Sequence, residues 1–288
     1  MKKLISIFVI LALIFQPLAF SAWDDTAPAG TSNVSDIDAN VIANNQAAES
    51  TLSGLTGWTN LKITAGGSAT AVTVTADMLL LQASANIATR ITSVSESIAI
   101  TTSGASGLVS SLSEAANTIY YVWIARKSSD STVNGYLSTT TSLTTFLTQV
   151  DSGYDQAALV SVVGNDGSSN FIDFIQQGRE YWFTTWLSIA SGTVSAWTVI
   201  DLTPSTLSFF VPTNLSTVAF GAFSGGSSAV VSNRNTGATT IATVDGSGIY
   251  YLNQSGYWRL NVVTTDTIYW GSNQSSIIWL AGFELNKL

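Results

Sequence analysis

Short runs of apolar residues, several of them alternating with polar ones, dominate the chain and predict β-strands. Residues 119–124 form a β-branched and aromatic run of strand length, and residues 158–163 are apolar enough to be buried on both faces. In residues 71–77, valines alternate with threonines, which predicts a half-exposed strand. Polar turns separate these runs, and no ten-residue helical pattern lies between them. This pattern favours an antiparallel β-sandwich over an α/β fold.

Glycine and asparagine mark the turns that connect these strands. Asn134-Gly135 lies between two short apolar runs and predicts a two-residue hairpin turn. Residues 165–167 predict a turn into a strand at 171–174, and residues 176–180 predict an exposed turn. Residues 138–148 are serine- and threonine-rich and then apolar, so both a long loop and a short helix remain open.

The second half of the chain shows the same alternation. Trp258 and Leu260 alternate with Arg259 and Asn261, which predicts a strand with one buried face. Near the end of the chain, every second residue is apolar, which predicts one buried face of a terminal strand: Ile277, Trp279, Ala281, Phe283 and Leu285. This half is interpreted as a jelly-roll-like or related sandwich.

The first 57 residues differ from the rest. Lys2-Lys3, an apolar run and a small-x-small site ending at Ser21 have the pattern of a secretory signal. Pro28 and Gly30 predict an extended segment, and a helix is predicted from about Ser35 to Ser53. Its apolar positions follow a short heptad spacing, which suits either a trimerisation seam or a single amphipathic helix packed on its own domain.

The fold class predicted from these patterns is mainly β. A short N-terminal helix precedes antiparallel β-sandwich or jelly-roll-like domains. Four segments follow from the changes in pattern: a leader at 1–21, an extended segment and helix for attachment or trimerisation at 22–57, a β-sandwich domain at 58–183 and a C-terminal β-sandwich domain at 184–288.

The composition of the chain excludes several kinds of catalytic and binding site. The 288 residues contain no cysteine and no histidine, and only 10% are charged, with a net charge of −8. These absences exclude disulfides, thiolate nucleophiles, Ser-His-Asp hydrolases and imidazole zinc sites. An acidic chain without a basic patch does not suit nucleic-acid binding. No catalytic residue, cofactor or metal site is assigned, and the expectation is a protein without enzymatic activity.

Carboxylate chemistry is the one catalytic class that composition leaves open. Glycoside cleavage needs two carboxyl groups about 5–10 Å apart. Nothing in the sequence pairs the available aspartates, which are Asp166, Asp173, Asp201, Asp245 and Asp266. Asp151 and Asp155 share one turn. Their carboxylates could bind calcium, but a solvated turn is the favoured interpretation.

Aromatic residues near predicted turns are the candidate binding residues, because exposed aromatic rings can stack on sugars or anchor a partner. The alternative for each one is inward packing at a strand end. The candidates are Tyr250, Tyr251, Tyr257, Tyr269 and Trp270.

Two parts of the chain resemble virion proteins of tailed bacteriophages. The N-terminal part reads WDDTAPAGTSNVSDID at residues 23–38 and IANN at 42–45, and it resembles the N-terminal segment of tail-fibre-type proteins. The central part reads IAITTSGASGL at 98–108, YYVWI at 120–124 and NDGSSNFI at 165–172, and it is similar to a module of phage appendage proteins. The resemblance implies a β-rich homotrimeric appendage subunit that contacts other virion proteins and a host-surface glycan or protein.

The expected function is therefore that of a non-enzymatic, tail-fibre-like virion subunit involved in host attachment. The leader departs from this pattern, because tail subunits usually assemble in the cytoplasm, and it suggests export to the periplasm or the extracellular space. After its removal, no segment is long enough to span a membrane. Two alternatives remain: a secreted bacterial or prophage-derived adhesin, and a carbohydrate-cleaving tail spike.

Overall fold

The computed structural model describes residues 57–66, 69–83, 88–202, 210–212, 214–225, 229–232, 249–252, 255–261 and 267–285. Over these residues the protein is mainly β, as the alternation predicts. The expected leader and N-terminal helix lie outside them. The strands are β1 Trp58–Thr59, β2 Lys62–Ala65, β3 Ala71–Ala83, β4 Ala88–Ala99, β5 Gly107–Leu108, β6 Ile119–Arg126, β7 Val133–Ser138, β8 Gln156–Gly164, β9 Phe174–Gln177, β10 Glu180–Asp201, β11 Ser216–Gly225, β12 Ala229–Ser232, β13 Ile249–Leu252, β14 Ser255–Asn261 and β15 Thr267–Leu285.

The strands join into one 15-stranded sheet. Its main path is β13-β12-β15-β10-β9-β2-β3-β8-β6-β7-β5. Strands β1 and β4 pair with β3, while β11 pairs with both β15 and β14. Most pairs are antiparallel, and β5 runs parallel to β7. The long pair β10 and β15 therefore has β9 on one side and β11 with β14 on the other.

The prediction of a hairpin turn at Asn134-Gly135 is wrong. Both residues lie inside β7, and the turn between β6 and β7 is closed by Lys127 and Thr132, where the Lys127 N–H donates to the Thr132 carbonyl at 2.9 Å. Gly135 has a packing role, since a Cβ there would lie 2.3 Å from the Ile98 side chain on β4. The glycine permits a close approach between β7 and β4.

The prediction of a single buried face on the terminal strand is also wrong. Ile278 and Leu280 are buried, whereas Ile277 is exposed. On β11, Phe220 pairs with Gly282 and Gly221 pairs with Leu280, so Ala281 is an extra residue on β15. This bulge reverses the alternation, because side chains in a strand have a period of two. Beyond it, Phe283 and Leu285 are buried, as expected.

The ambiguous segment 138–148 contains a helix, α1, at Leu143–Gln149. The Ser142 hydroxyl caps it by accepting the Thr145 N–H. Phe146 is the buried residue of this helix and stacks on Trp123 with ring centroids 4.5 Å apart. The helix therefore closes a small second core beside the sheet.

The predicted exposed turn at 176–180 is correct only in part. The turn lies at Gly178-Arg179, between β9 and β10. Gln176 is fully buried in β9. Its amide donates to the Val160 carbonyl at 3.0 Å and accepts from the Ser161 hydroxyl, so that it links β9 to β8. Burying an amide is tolerated because its hydrogen bonds are satisfied.

Strand β10 crosses the expected domain boundary. The position between residues 183 and 184 falls within Glu180–Asp201, which pairs with β15 along most of its length. Tyr181 stacks on Phe174 and on Phe283, with ring centroids 4.3 Å apart in both pairs. Residues from both sides of the boundary thus share one aromatic core.

Candidate surface-binding site

Strands β9, β10, β15, β11 and β14 present one face away from the core. On the inner side of β9, β10 and β15 lie the buried rings of Phe174, Tyr181 and Phe283. Residues of the opposite parity form the outer side. We call five aromatic residues on that side the aromatic face: Trp182, Trp186, Phe220, Tyr257 and Trp279.

One contact of the aromatic face spans Gly282. Trp182 on β10 and Phe220 on β11 both pair with this glycine on β15, which lies between them. Their ring centroids are 4.5 Å apart. A Cβ on Gly282 would lie 2.0 Å from the Tyr181 carbonyl oxygen and 2.9 Å from the Phe220 ring. The rings therefore meet because the residue beneath them has no side chain.

The second contact joins Trp186 to Tyr257 across two intervening strands. On β10, Trp182 pairs with Gly282 and Leu187 pairs with Leu280, so residues 183–186 bulge opposite Ala281. The Trp186 ring reaches Tyr257 on β14, with centroids 6.1 Å apart and planes at 82°. We call this pair the aromatic corner.

The rows around the aromatic corner contain serines as well as apolar residues. One row across the strands runs Ser188, Trp279, Ala222, Tyr257, and the next contains Ser191, Ile277 and Ser224. Ala222 lies between Trp279 and Tyr257 and is buried. The three serines named here are exposed, so their hydroxyl groups can donate and accept hydrogen bonds at the rim of the corner.

Charged residues follow one end of this face and come as near to the corner as Arg259, two residues from Tyr257 on β14. Lys62 pairs with Gln177, which pairs with Glu180, which pairs with Glu284. Glu284 also forms an ion pair with Arg259. The Trp182 indole N–H donates to the Glu180 carboxylate at 3.4 Å. These two cations and two anions balance, and Arg259 is the one of the four that lies next to the corner.

The five aromatic residues expected at the surface have different positions. Tyr257 is 76% exposed and belongs to the corner. Tyr269 is half-buried and pairs with Val199. Trp270 is 3% exposed, so its ring belongs to the core and is not available to a ligand at the surface. Tyr250 and Tyr251 lie in β13, but their side chains are outside the described residues.

Sequence reasoning missed Trp182, Trp186 and Phe220. A signal was present, because Trp182 and Trp186 have the parity opposite to Tyr181 and Phe183, so aromatic residues occupy both faces of this strand. Alternation places Trp186 on the outer side, but its position near Tyr257 depends on the pairing of β10 with β15 and of β15 with β11, and periodicity within one strand does not contain that information.

The acidic turn weighed for calcium has a structural role. Asp151 accepts hydrogen bonds from the hydroxyls of Tyr136 and Ser110, and Asp155 accepts from the Ser128 N–H and hydroxyl. Burial, together with Tyr154 and Asp151, raises the pKa of Tyr136, which keeps this phenol protonated as a donor. In the described part of the chain, no three acidic, histidine or cysteine residues group as a metal site would require.

Among the aspartates considered for glycoside cleavage, Asp166 is engaged in its own turn. Its carboxylate accepts the backbone N–H groups of Ser168 at 2.8 Å and Asn170 at 2.9 Å. This is the usual role of aspartate in a turn. Asp245 and Asp266 lie outside the described residues.

A cleft of about 250 Å³ lies between β1 and β8. Trp58, Leu79, Trp123, Leu143 and Leu159 are among the residues that line it. The Trp123 indole N–H already donates to the Thr140 carbonyl at 3.1 Å. Gln82 and Thr141 also line the cleft, but none of its described lining residues carries a charge that would orient a polar substrate.

Comparison with known proteins adds no relative. No protein-family model matches this chain, and neither a curated protein nor a solved structure resembles it significantly. The described residues include no helix with the length and apolarity needed to span a membrane.

Proposed function

We propose that this chain is a non-enzymatic structural subunit of a bacteriophage virion, a tail-fibre-like appendage protein that takes part in attachment to the host surface. The aromatic face is the observation that supports attachment most directly. Trp182, Trp186 and Tyr257 are between 42% and 76% exposed on one side of the sheet. Grouped exposed apolar residues are typical of surfaces that bind a partner. The resemblance of residues 23–183 to virion proteins of tailed bacteriophages is the reason for proposing a phage particle.

Under this proposal, the strands pack as antiparallel β-sandwich or jelly-roll-like layers. The contact between Gly135 on β7 and Ile98 on β4 supports such layering. Residues 22–57 join the subunit to other virion proteins and assist assembly of three copies. Three linked copies multiply weak contacts, because tethered binding raises avidity by roughly 10²–10⁴.

A secreted bacterial or prophage-derived adhesin is the second candidate. The signal-like pattern of residues 1–21 favours it. Such a protein would use the same aromatic face at a cell surface, without a virion. A carbohydrate-cleaving spike has less support, because it requires paired carboxyl groups and Asp166 is already bound to its own turn.

Immunogold electron microscopy of purified phage particles tests the leading proposal. Label on a tail or fibre is the expected result. Label absent from particles but present in the culture medium or periplasm would replace the virion protein with the adhesin. Light scattering of the purified protein tests the assembly, and about three times the chain mass is expected. A monomer at micromolar concentration would contradict the trimer.

A further inference from the structure

We propose that the aromatic corner formed by Trp186 and Tyr257 binds a neutral pyranose ring within a polysaccharide. This inference deepens the proposed attachment function and rests on it. It names the ligand class and the two residues that contact it, neither of which follows from the attachment function alone.

The geometry of the corner fits a sugar ring. Trp186 is 44% exposed and Tyr257 is 76% exposed, and their planes meet at 82°. A pyranose has a face of C–H groups and a rim of hydroxyl groups. The C–H groups carry partial positive charge and are attracted to the negative face of an aromatic ring. One ring of the corner can therefore stack on the sugar while the other closes one side.

The chemistry around the corner also fits a neutral, hydroxylated ligand. Exposed hydroxyls of Ser188, Ser191 and Ser224 lie on the same face, within one or two rows of the corner. Each can donate and accept hydrogen bonds with sugar hydroxyls. The charges of this face are balanced, and the one next to the corner, Arg259, is neutralised by its ion pair with Glu284. The local charge thus favours a neutral ligand over an acidic or basic one.

The same serines argue against an apolar protein partner. A flat apolar surface docked on the corner would remove these hydroxyls from water without replacing their hydrogen bonds, which is unfavourable. The hydroxyl groups of a sugar can replace those hydrogen bonds. Stacking at one small site gives weak binding, with a dissociation constant on the order of 1 mM. A repetitive polysaccharide and several protein copies compensate for that weakness.

The first experiment is affinity electrophoresis of the full chain in native gels that contain dextran, barley β-glucan, galactomannan or xyloglucan. At least one polysaccharide should retard the wild-type protein. Trp186→Ala and Tyr257→Ala should each weaken retardation at least about 10-fold, since each removes one wall of the corner. Tyr257→Phe keeps the ring and should retain most of the binding.

Val199→Ala is the matched control. Val199 is 52% exposed on the same strand, but it pairs with Tyr269 far along β10 from the corner. This variant should migrate like the wild type in every gel. Thermal melting of all four variants checks folding. If no polysaccharide retards the protein, or if Trp186→Ala is retarded as strongly as the wild type, the inference is wrong.

A second experiment separates this inference from the attachment function. Labelled protein is applied to host cells treated with periodate, which destroys sugar rings, or with protease. Binding that is lost after periodate, and lost in Trp186→Ala, supports the sugar ligand. Binding that survives periodate and is lost after protease overturns the sugar ligand and leaves attachment intact. If untreated cells bind no protein, the attachment function fails, and the gels still decide the ligand class.

A second copy of the chain is the remaining occupant to test. Light scattering of Trp186→Ala should give the same mass as the wild type. A variant that dissociates would show that the aromatic corner is an interface between copies, which would overturn the sugar site.

Discussion

Trp182 and Phe220 are in contact across the backbone of Gly282, with ring centroids 4.5 Å apart and planes tilted by 56°. They lie on strands β10 and β11, which do not pair with each other, because β15 separates them. The contact covers the point where both neighbouring pairings are interrupted by the bulge at Ala281. The aromatic pair thus covers a buried glycine that contributes no side-chain packing of its own.

Gly282→Ala should destabilise the protein by about 2–4 kcal/mol, because the new Cβ would meet the Tyr181 carbonyl oxygen at 2.0 Å and backbone cannot move cheaply. Chemical denaturation measures this change. Gly66→Ala is the control, since nothing lies within 4 Å of a Cβ at that position. Equal stability of the two variants would contradict the packing described for Gly282.

Tyr181→Phe should leave the free energy of unfolding unchanged or raise it by about 1–2 kcal/mol. The Tyr181 hydroxyl is fully buried and has no hydrogen-bond partner, so its removal relieves a desolvation cost. Tyr120→Phe should have the opposite effect and cost about 1–2 kcal/mol, because the Tyr120 hydroxyl accepts the Ala115 N–H at 2.8 Å and donates to its carbonyl. Denaturant titration compares the pair, and a large loss in Tyr181→Phe would show a hidden partner.

The same hydroxyl should make the stability of the folded protein depend on pH in the alkaline range. Burial raises the pKa of Tyr181 well above its ordinary value of 10. Below pH 10 this hydroxyl is neutral in both the folded and the unfolded state, and above pH 10 the stability falls, because only the unfolded phenol ionises readily. The melting temperature of the wild type should fall relative to Tyr181→Phe above pH 10. Parallel melting curves for the two proteins across that range would contradict this expectation.

Glu96→Gln should stabilise the protein at pH 7 and have little effect near pH 4. Desolvation raises the pKa of Glu96 above 4.5, and the hydrogen bond from the Gly135 N–H opposes this only in part. Stability linked to this carboxyl is complete below pH 4.5 and is lost as the pH rises through the folded pKa. The gain should stay below about 1 kcal/mol, because Glu96 is partly exposed and water screens it. Unfolding of both proteins at the two pH values measures the difference, and a larger gain at pH 4 would refute it.

Gly135→Ala should cost about 1–3 kcal/mol, because the methyl group would lie 2.3 Å from the Ile98 side chain. Ile98→Ala alone also destabilises, since it leaves a cavity. The double variant should lose less than the sum of the two single changes, because the second substitution makes room for the first. Additive losses in denaturant titrations would mean that the two side chains do not compete for one space.

Strand positions were largely predictable from the sequence, because a period of two in residues such as Trp258 and Leu260 is a local property. The mainly β class follows from the same periodicity. Bulges were not predictable, since Ala281 is an extra residue only with respect to its neighbours on β10 and β11. For the same reason, Ile277 was assigned to the buried face although it is exposed.

The functional residues were less predictable than the strands. Asn134-Gly135 has the composition of a turn, yet Gly135 serves sheet packing, and composition cannot distinguish these two uses. Tyr257 was proposed as a surface residue on its position near a turn. Its partner Trp186 was not, because the two residues are 71 positions apart and meet only through the pairing of β10 with β15 and of β15 with β11.

The continuity of β10 through residues 183 and 184 has a consequence for gene exchange. Recombination at this position would separate Tyr181 from Phe283, and each inherited half would carry an incomplete hydrophobic interior. Homologous replacement of the distal part must therefore bring its own copy of β10 and β15 together. A tolerated crossover must therefore leave β9, β10 and β15 together from one parent, which excludes positions between Phe174 and Leu285.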